Sequence, residues 1–160
     1  MKKIILFVAI VIALGYFMNK KPQQEAVAAV LTKPVYIELR LSMDTPRGAV
    51  EGVMLGLAND DADCELQLQT ARDSIGRTCE ECRIKTSDCR TLLEARYAKL
   101  LDNKPTSVTY LSMAKGVDWE REYRMIYWGI TVAESDSICD KAAKKLRRHQ
   151  GKVQCIRALQ

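Results

Sequence analysis

The chain of 160 residues has one histidine, one long apolar run and no glycine-rich phosphate loop. A single histidine, His149, assembles no confident Ser-His-Asp set. The single apolar run excludes a multi-pass membrane protein. The missing phosphate loop removes the nucleotide-cradling motifs built on one. No low-complexity segment and no internal repeat shows in the residue pattern. Hydrophobic residues make up 48% of the chain, which excludes general disorder. The length suits one domain and is too short for a large multidomain enzyme.

The formal charge is +5, but it is unevenly distributed. Lys2, Lys3, Lys20 and Lys21 flank the apolar run, and every acidic residue lies at or beyond Glu25. Residues 22–136 hold 14 basic against 19 acidic residues, and residues 137–160 hold seven against one. The chain is therefore not generally basic. No nucleic-acid partner is expected.

Residues 4–18 read IILFVAIVIALGYFM without a charge. As a helix this run covers about 22 Å, against a hydrocarbon core of about 30 Å. Lysines on both flanks can snorkel outward, and the bilayer can thin locally. The reading is a signal-anchor or transmembrane segment over 1–21, a tether over 22–33, and a single domain over 34–160. The alternative is a secretory signal peptide, cleaved near Ala13–Leu14–Gly15 or Ala26–Val27–Ala28. All six cysteines follow the run: Cys64, Cys79, Cys82, Cys89, Cys139 and Cys155. Disulfides persist in oxidising compartments, so the body is expected outside the cytoplasm. The expected location is a bacterial inner membrane with the body in the periplasm.

Along the body, residues 35–42 alternate as a half-buried strand, with Val35, Ile37, Leu39 and Leu41 on one side. Asp44–Thr45–Pro46 reads as a cap and first helical position, which predicts a helix over 46–58. Gly48, Gly52 and Gly56 fall on one face of it and predict close backbone approach to another element. Asn59–Asp60–Asp61 starts a second helix, with Cys64, Leu68, Ala71 and Ile75 inward and Gly76 as its stop. Residues 77–87 read as a polar loop, followed by a helix from Ser87 or Asp88 to about Leu101. Residues 106–114 and 120–132 read as a hairpin. Ser135–Asp136 caps a last helix over 137–149, and 152–159 forms a short strand. The predicted class is α+β, an N-terminal membrane helix followed by a small antiparallel or mixed sheet of about four strands. Three to four helices pack on it, and disulfides staple it. From Asp44–Thr45–Pro46 through Ala49–Val50 to Asp60–Asp61–Ala62 the chain resembles the opening helix of nuclear-transport-factor-2-like domains. That short resemblance implies a helix there and a long strand meander later; no such meander is predicted, and the family is not assigned.

Cys139 and Cys155 are expected to pair, tying the last helix to the last strand. Cys64 is expected to pair into the loop that carries Cys79, Cys82 and Cys89, with the partner open. Cys79–Glu80–Glu81–Cys82 also admits a thiol-disulfide active site or, with Cys89 and either Cys64 or His149, a zinc site. The intervening glutamates oppose a thiolate, so neither a catalytic residue, a cofactor nor a metal is assigned. Glu120 and Glu122 beside Arg121 and Arg124 read as a solvated strand edge, and His149 as part of a solvated basic helix end. Lys141, Lys144, Lys145 and Arg148 form one basic helix face. It suits lipid headgroups, an anionic polymer or an acidic partner. Tyr123 and Tyr127 could add an aromatic platform. The functional expectation is a membrane-anchored binding or assembly protein, an accessory component of an envelope complex and not an enzyme.

Overall fold

A computed structural model describes residues 34–117, 120–146 and 148–159. The elements are β1 (Val35–Thr45), β2 (Gly48–Ala58), α1 (Asp61–Thr78), β3 (Cys82–Arg90), α2 (Ala95–Leu101), β4 (Tyr110–Met113), β5 (Tyr123–Trp128), α3 (Val132–Lys145) and β6 (Val153–Ile156). The strands form one antiparallel sheet in the order β3-β1-β2-β5-β4-β6. The α+β class stands. The expected sheet of about four strands is corrected to one of six, and three helices occur among the described residues. The expected membrane helix over 4–18 and tether over 22–33 lie outside the described residues. Among the described residues no helix is long and apolar enough to cross a membrane.

The largest correction concerns residues 46–58. They form no opening helix; they are the turn and second strand of a long hairpin. Val35 to Thr45 pair residue by residue with Ala58 to Gly48. The resemblance to the transport-factor helix therefore falls with the helix. Pro46 and Arg47 form the turn. Thr45 Oγ1 donates to Gly48 O at 2.6 Å, and Arg47 N donates to Thr45 Oγ1 at 3.3 Å. Gly48 has φ +119°, a backbone region that L side chains avoid. Close approach does occur along this stretch. A Cβ at Gly56 would lie 2.6 Å from the Tyr123 ring on β5.

The helix after this hairpin begins as its sequence suggests. Asp60 caps α1, accepting from Asp63 N at 2.7 Å. Cys64, Leu68, Ala71 and Ile75 are buried against the sheet. Gly76 does not stop the helix, which runs to Thr78. The expected loop over 77–87 and the helix expected to follow it are replaced by edge strand β3 and the seven-residue α2. Arg83, Lys85, Asp88 and Arg90 on β3, and a register shift opposite Arg40 and Leu41, discourage further strand pairing at that edge. Leu92, within the span expected to be helical, lies outside α2 and is 81% exposed.

The sheet order reveals a repeat that residue identities conceal. β1–β2–α1–β3 and β4–β5–α3–β6 are the same ββαβ unit, and the two meet back to back at the β2–β5 seam. Thr131 caps α3 as Asp60 caps α1. Positions four, eight, eleven and fifteen after each cap are buried: Cys64, Leu68, Ala71 and Ile75 in one unit, Ser135, Cys139, Ala142 and Leu146 in the other. The expectation of no internal repeat is thus corrected at the level of structure. Both helices pack with the alternate residues of β1, β2, β4 and β5 that form the main core, including Ile37, Leu39, Met54, Leu111, Met125 and Tyr127. The opposite sheet face carries only a small cluster, where Tyr97 and Leu100 of α2 meet Val53, Leu55, Tyr110 and Ile126.

Candidate functional site

The polar residues of β1 face away from α1 and α3, and they start the most organised part of the open face. Glu38 is fully buried there. Its Oε1 accepts from Arg40 Nε at 2.7 Å, and its Oε2 lies 3.0 Å from Arg90 Nε. Arg40 Nη2 donates to Glu94 Oε1 at 3.2 Å, and Arg96 Nε lies 2.7 Å from Glu94 Oε2. The two guanidinium groups also lie over the Tyr97 ring, at 5.5 and 4.7 Å from its centroid. Glu38 is the main cause that holds the Arg40 pKa above its ordinary value. Burial pushes the Tyr97 hydroxyl up, with the two arginines opposing.

Beyond this ladder the sheet face is uncovered and leaves an open cleft of about 470 Å³. Its chemistry comes from Arg40, Lys85 and Arg96 as cations, Glu51 as the one acid, and the rings of Tyr97 and Trp128. Glu51 and Trp128 face each other across the β2–β5 seam. Such a volume lies in the range of about 300–1,000 Å³ typical of small-molecule sites. The cleft mixes positive charge with aromatic surface and holds two of its cations in fixed positions. That suits binding an anionic group beside a flat, weakly polar one.

The cysteines are brought together in three disulfides. Cys64 pairs with Cys89, Cys79 with Cys82, and Cys139 with Cys155, with Cα separations of 6.0, 5.3 and 5.8 Å. The first and third each tie a unit's helix to its own edge strand. Cys79 follows the carboxyl end of α1, where the partial charge is negative, the wrong sign for a thiolate. The zinc alternative finds no donor set, since all six sulfurs are bonded and no metal-binding cluster occurs among the described residues.

The other predicted site residues are scattered. Lys141, Lys144, Lys145 and Arg148 are exposed on and just after α3, remote from the open face because α3 covers the other one. Tyr123 and Tyr127 are buried in the main core and form no solvent-facing platform. Burial pushes both hydroxyls far above their ordinary range. Tyr123 OH donates to Gln67 Oε1, which fixes it against α1.

Two readings of charged residues are corrected. Glu120, Arg121 and Arg124 are not a solvated edge; Glu120 is 3% exposed and Arg124 2%. Arg124 donates to Leu100 O, Leu101 O, Met113 O and Tyr123 O at 2.9–3.1 Å, fixing the carboxyl end of α2 to the sheet. Glu120 Oε2 accepts from the backbone N–H groups of Gly116, Val117 and Gly151, and its Oε1 accepts from Gln150 N at 2.7 Å. His149 is not at a solvated helix end. Its side chain is 1% exposed, with Nδ1 3.3 Å from Glu120 Oε1 and Nε2 2.6 Å from Ala114 O. Burial opposes ionised Glu120, but the N–H groups of Gln150 and Gly151, together with His149, hold its carboxyl below the usual range.

Taken together, the elements define a disulfide-crosslinked α+β domain: two ββαβ units in one sheet, with α1 and α3 on one face, and α2 and an open cleft on the other. Comparison with protein-family models, curated proteins and solved structures finds no match for the chain.

Proposed function

We propose that the protein is a binding or assembly module held at a membrane by residues 4–18, with its body outside the cytoplasm. It acts as an accessory component of an envelope complex, in a bacterial periplasm, and the open sheet face is its contact surface. The observation that carries this reading is the asymmetry of the sheet. One face is closed by two crosslinked helices, whereas the other retains a charged and aromatic cleft. The three disulfides support an oxidising compartment. The proposed action is binding, because the ionisable side chains lining the cleft are Arg40, Lys85, Arg96, Glu51 and Tyr97, with no nucleophile–base pair among them.

The test is extraction of the full chain from membranes in mild detergents. The protein is expected to co-purify with a membrane partner, and Lys85→Glu with Arg96→Glu is expected to release that partner. Recovery as a free monomer in every detergent overturns the assembly reading. Intact mass with and without reduction should show an unprocessed N-terminus and a gain of six hydrogens.

A second reading is favoured by the basic face of α3. Lys141, Lys144, Lys145 and Arg148 are exposed and form no ion pair with the described residues. They suit an anionic polymer or lipid headgroups, whether the chain is anchored or released. Lys144→Glu with Lys145→Glu should then weaken retention on anionic vesicles; unchanged retention removes this reading.

A further inference from the structure

We propose that the open-face cleft takes an acidic sugar residue of a polyanionic saccharide chain. This rests on the reading of the open face as the contact surface and names its ligand. Three features of the cleft lead to this chemistry. The first is charge complementarity. Among the lining residues Arg40, Lys85 and Arg96 face Glu51, while Glu38 and Glu94 behind them pair with the two arginines, which leaves Lys85 as the unpaired cation. Lys85 forms no ion pair, and Arg40 Nη1 has no hydrogen-bond partner among the described residues. Free donors therefore remain for a carboxylate, for which guanidinium is geometrically matched.

The second feature is preorganisation. Glu94 bridges Arg40 and Arg96, and both cations pack on the buried Tyr97 ring. Their positions are set before a ligand arrives, which lowers the entropy lost on binding. The third is Trp128, half-buried on β5 and opposite Glu51. An indole surface accepts the C–H face of a sugar ring, while the neighbouring carboxylate and guanidinium groups reach its hydroxyls. The cleft is open and walled by polar side chains, so it admits a chain passing through. β1 and β2 beneath it are paired on both sides, and the free edge of β3 is interrupted by the register shift at Lys85, which disfavours strand addition there.

The experiment is calorimetric titration of the detergent-solubilised full chain. The probes are tetragalacturonate, its neutral counterpart galactotetraose, and a tetra-aspartate peptide of equal charge. Saturable binding of tetragalacturonate is expected, with the neutral sugar and the peptide each weaker by about tenfold or more, the scale of one charge-assisted bond. Trp128→Ala should weaken it by about tenfold, within the range for removing an aromatic contact. Lys85→Glu with Arg96→Glu changes only exposed side chains and should abolish it. Lys144→Glu with Lys145→Glu should leave it unchanged. Absence of saturable binding overturns the proposal. So does peptide binding as tight as the uronate's, or loss of binding in the α3 variant alone. If the cleft variants release the membrane partner while tetragalacturonate fails to bind, the contact-surface reading stands and the saccharide does not.

Discussion

Glu120 offers the sharpest quantitative test of the fold. Its two oxygens serve four backbone N–H groups from two loops, at 2.7–3.3 Å, and none of those groups belongs to a strand ladder. In Glu120→Gln the new amide nitrogen is a donor placed among donors. The least damaging rotamer puts it toward Gln150 N and keeps the oxygen on the other three. One buried N–H then lacks an acceptor, at a cost of about 1–3 kcal/mol. Glu120→Ala removes the acceptor of all four N–H groups and leaves a void, for about 3–5 kcal/mol. The carboxyl titrates below its ordinary value of 4.5 in the folded protein. Folding thus favours the ionised form, and this contribution is complete above that ordinary value. It is lost as pH falls through the folded value. Urea unfolding of the full chain, followed by near-ultraviolet circular dichroism, should show both variants destabilised at pH 7. The deficit of Glu120→Gln should shrink as the wild type protonates. A deficit under about 0.5 kcal/mol at pH 7, the scale of a surface substitution, refutes the reasoning. A deficit that grows on acidification refutes it as well.

Two further outcomes follow from packing and crosslinks. Gly56→Ala drives a methyl into the Tyr123 ring, whose hydroxyl is held by Gln67, and should cost about 1–3 kcal/mol of stability in the same unfolding assay. Cys139→Ser with Cys155→Ser opens a closure across 16 residues and should cost about 3 kcal/mol, whereas Cys79→Ser with Cys82→Ser opens one across three and should cost about 2. A larger loss from the shorter closure would contradict the loop-entropy account.

How much of this was legible in the sequence depended on whether the controlling contact was local. β1 could be read because Val35, Ile37, Leu39 and Leu41 alternate, and the inward face of α1 because Cys64, Leu68, Ala71 and Ile75 keep helical spacing. Residues 46–58 misled because glycines every four residues share a face in both a strand and a helix. Pro46 likewise suits a hairpin turn as well as a helix start. The start of α3 was marked by Thr131 and Glu134, a reciprocal capping pair, but Ser135–Asp136 offered a competing signal. Ser135 and Asp136 are instead engaged by Thr109. Glu120, Arg124 and His149 looked solvated because key partners lie far along the chain: Gln150 and Gly151 for Glu120, Leu100 and Met113 for Arg124, and Ala114 for His149. The cleft was illegible for the same reason. Arg40, Lys85, Arg96 and Trp128 meet only after the sheet has formed, and no spacing rule joins them.

The two ββαβ units also determine where the molecule is covalently weak. Each disulfide closes within one unit, and none crosses from the first to the second. The main chain between β3 and β4 is the only covalent bridge, and its exposed start includes Leu92. A single cut there would leave two internally locked chains joined through the β2–β5 ladder and the packing around it. That product would be a dimer with near two-fold symmetry, made from one polypeptide. Because Arg40 and Lys85 belong to the first unit, Trp128 to the second and Arg96 to the connection between them, only the joined pair would retain a complete cleft.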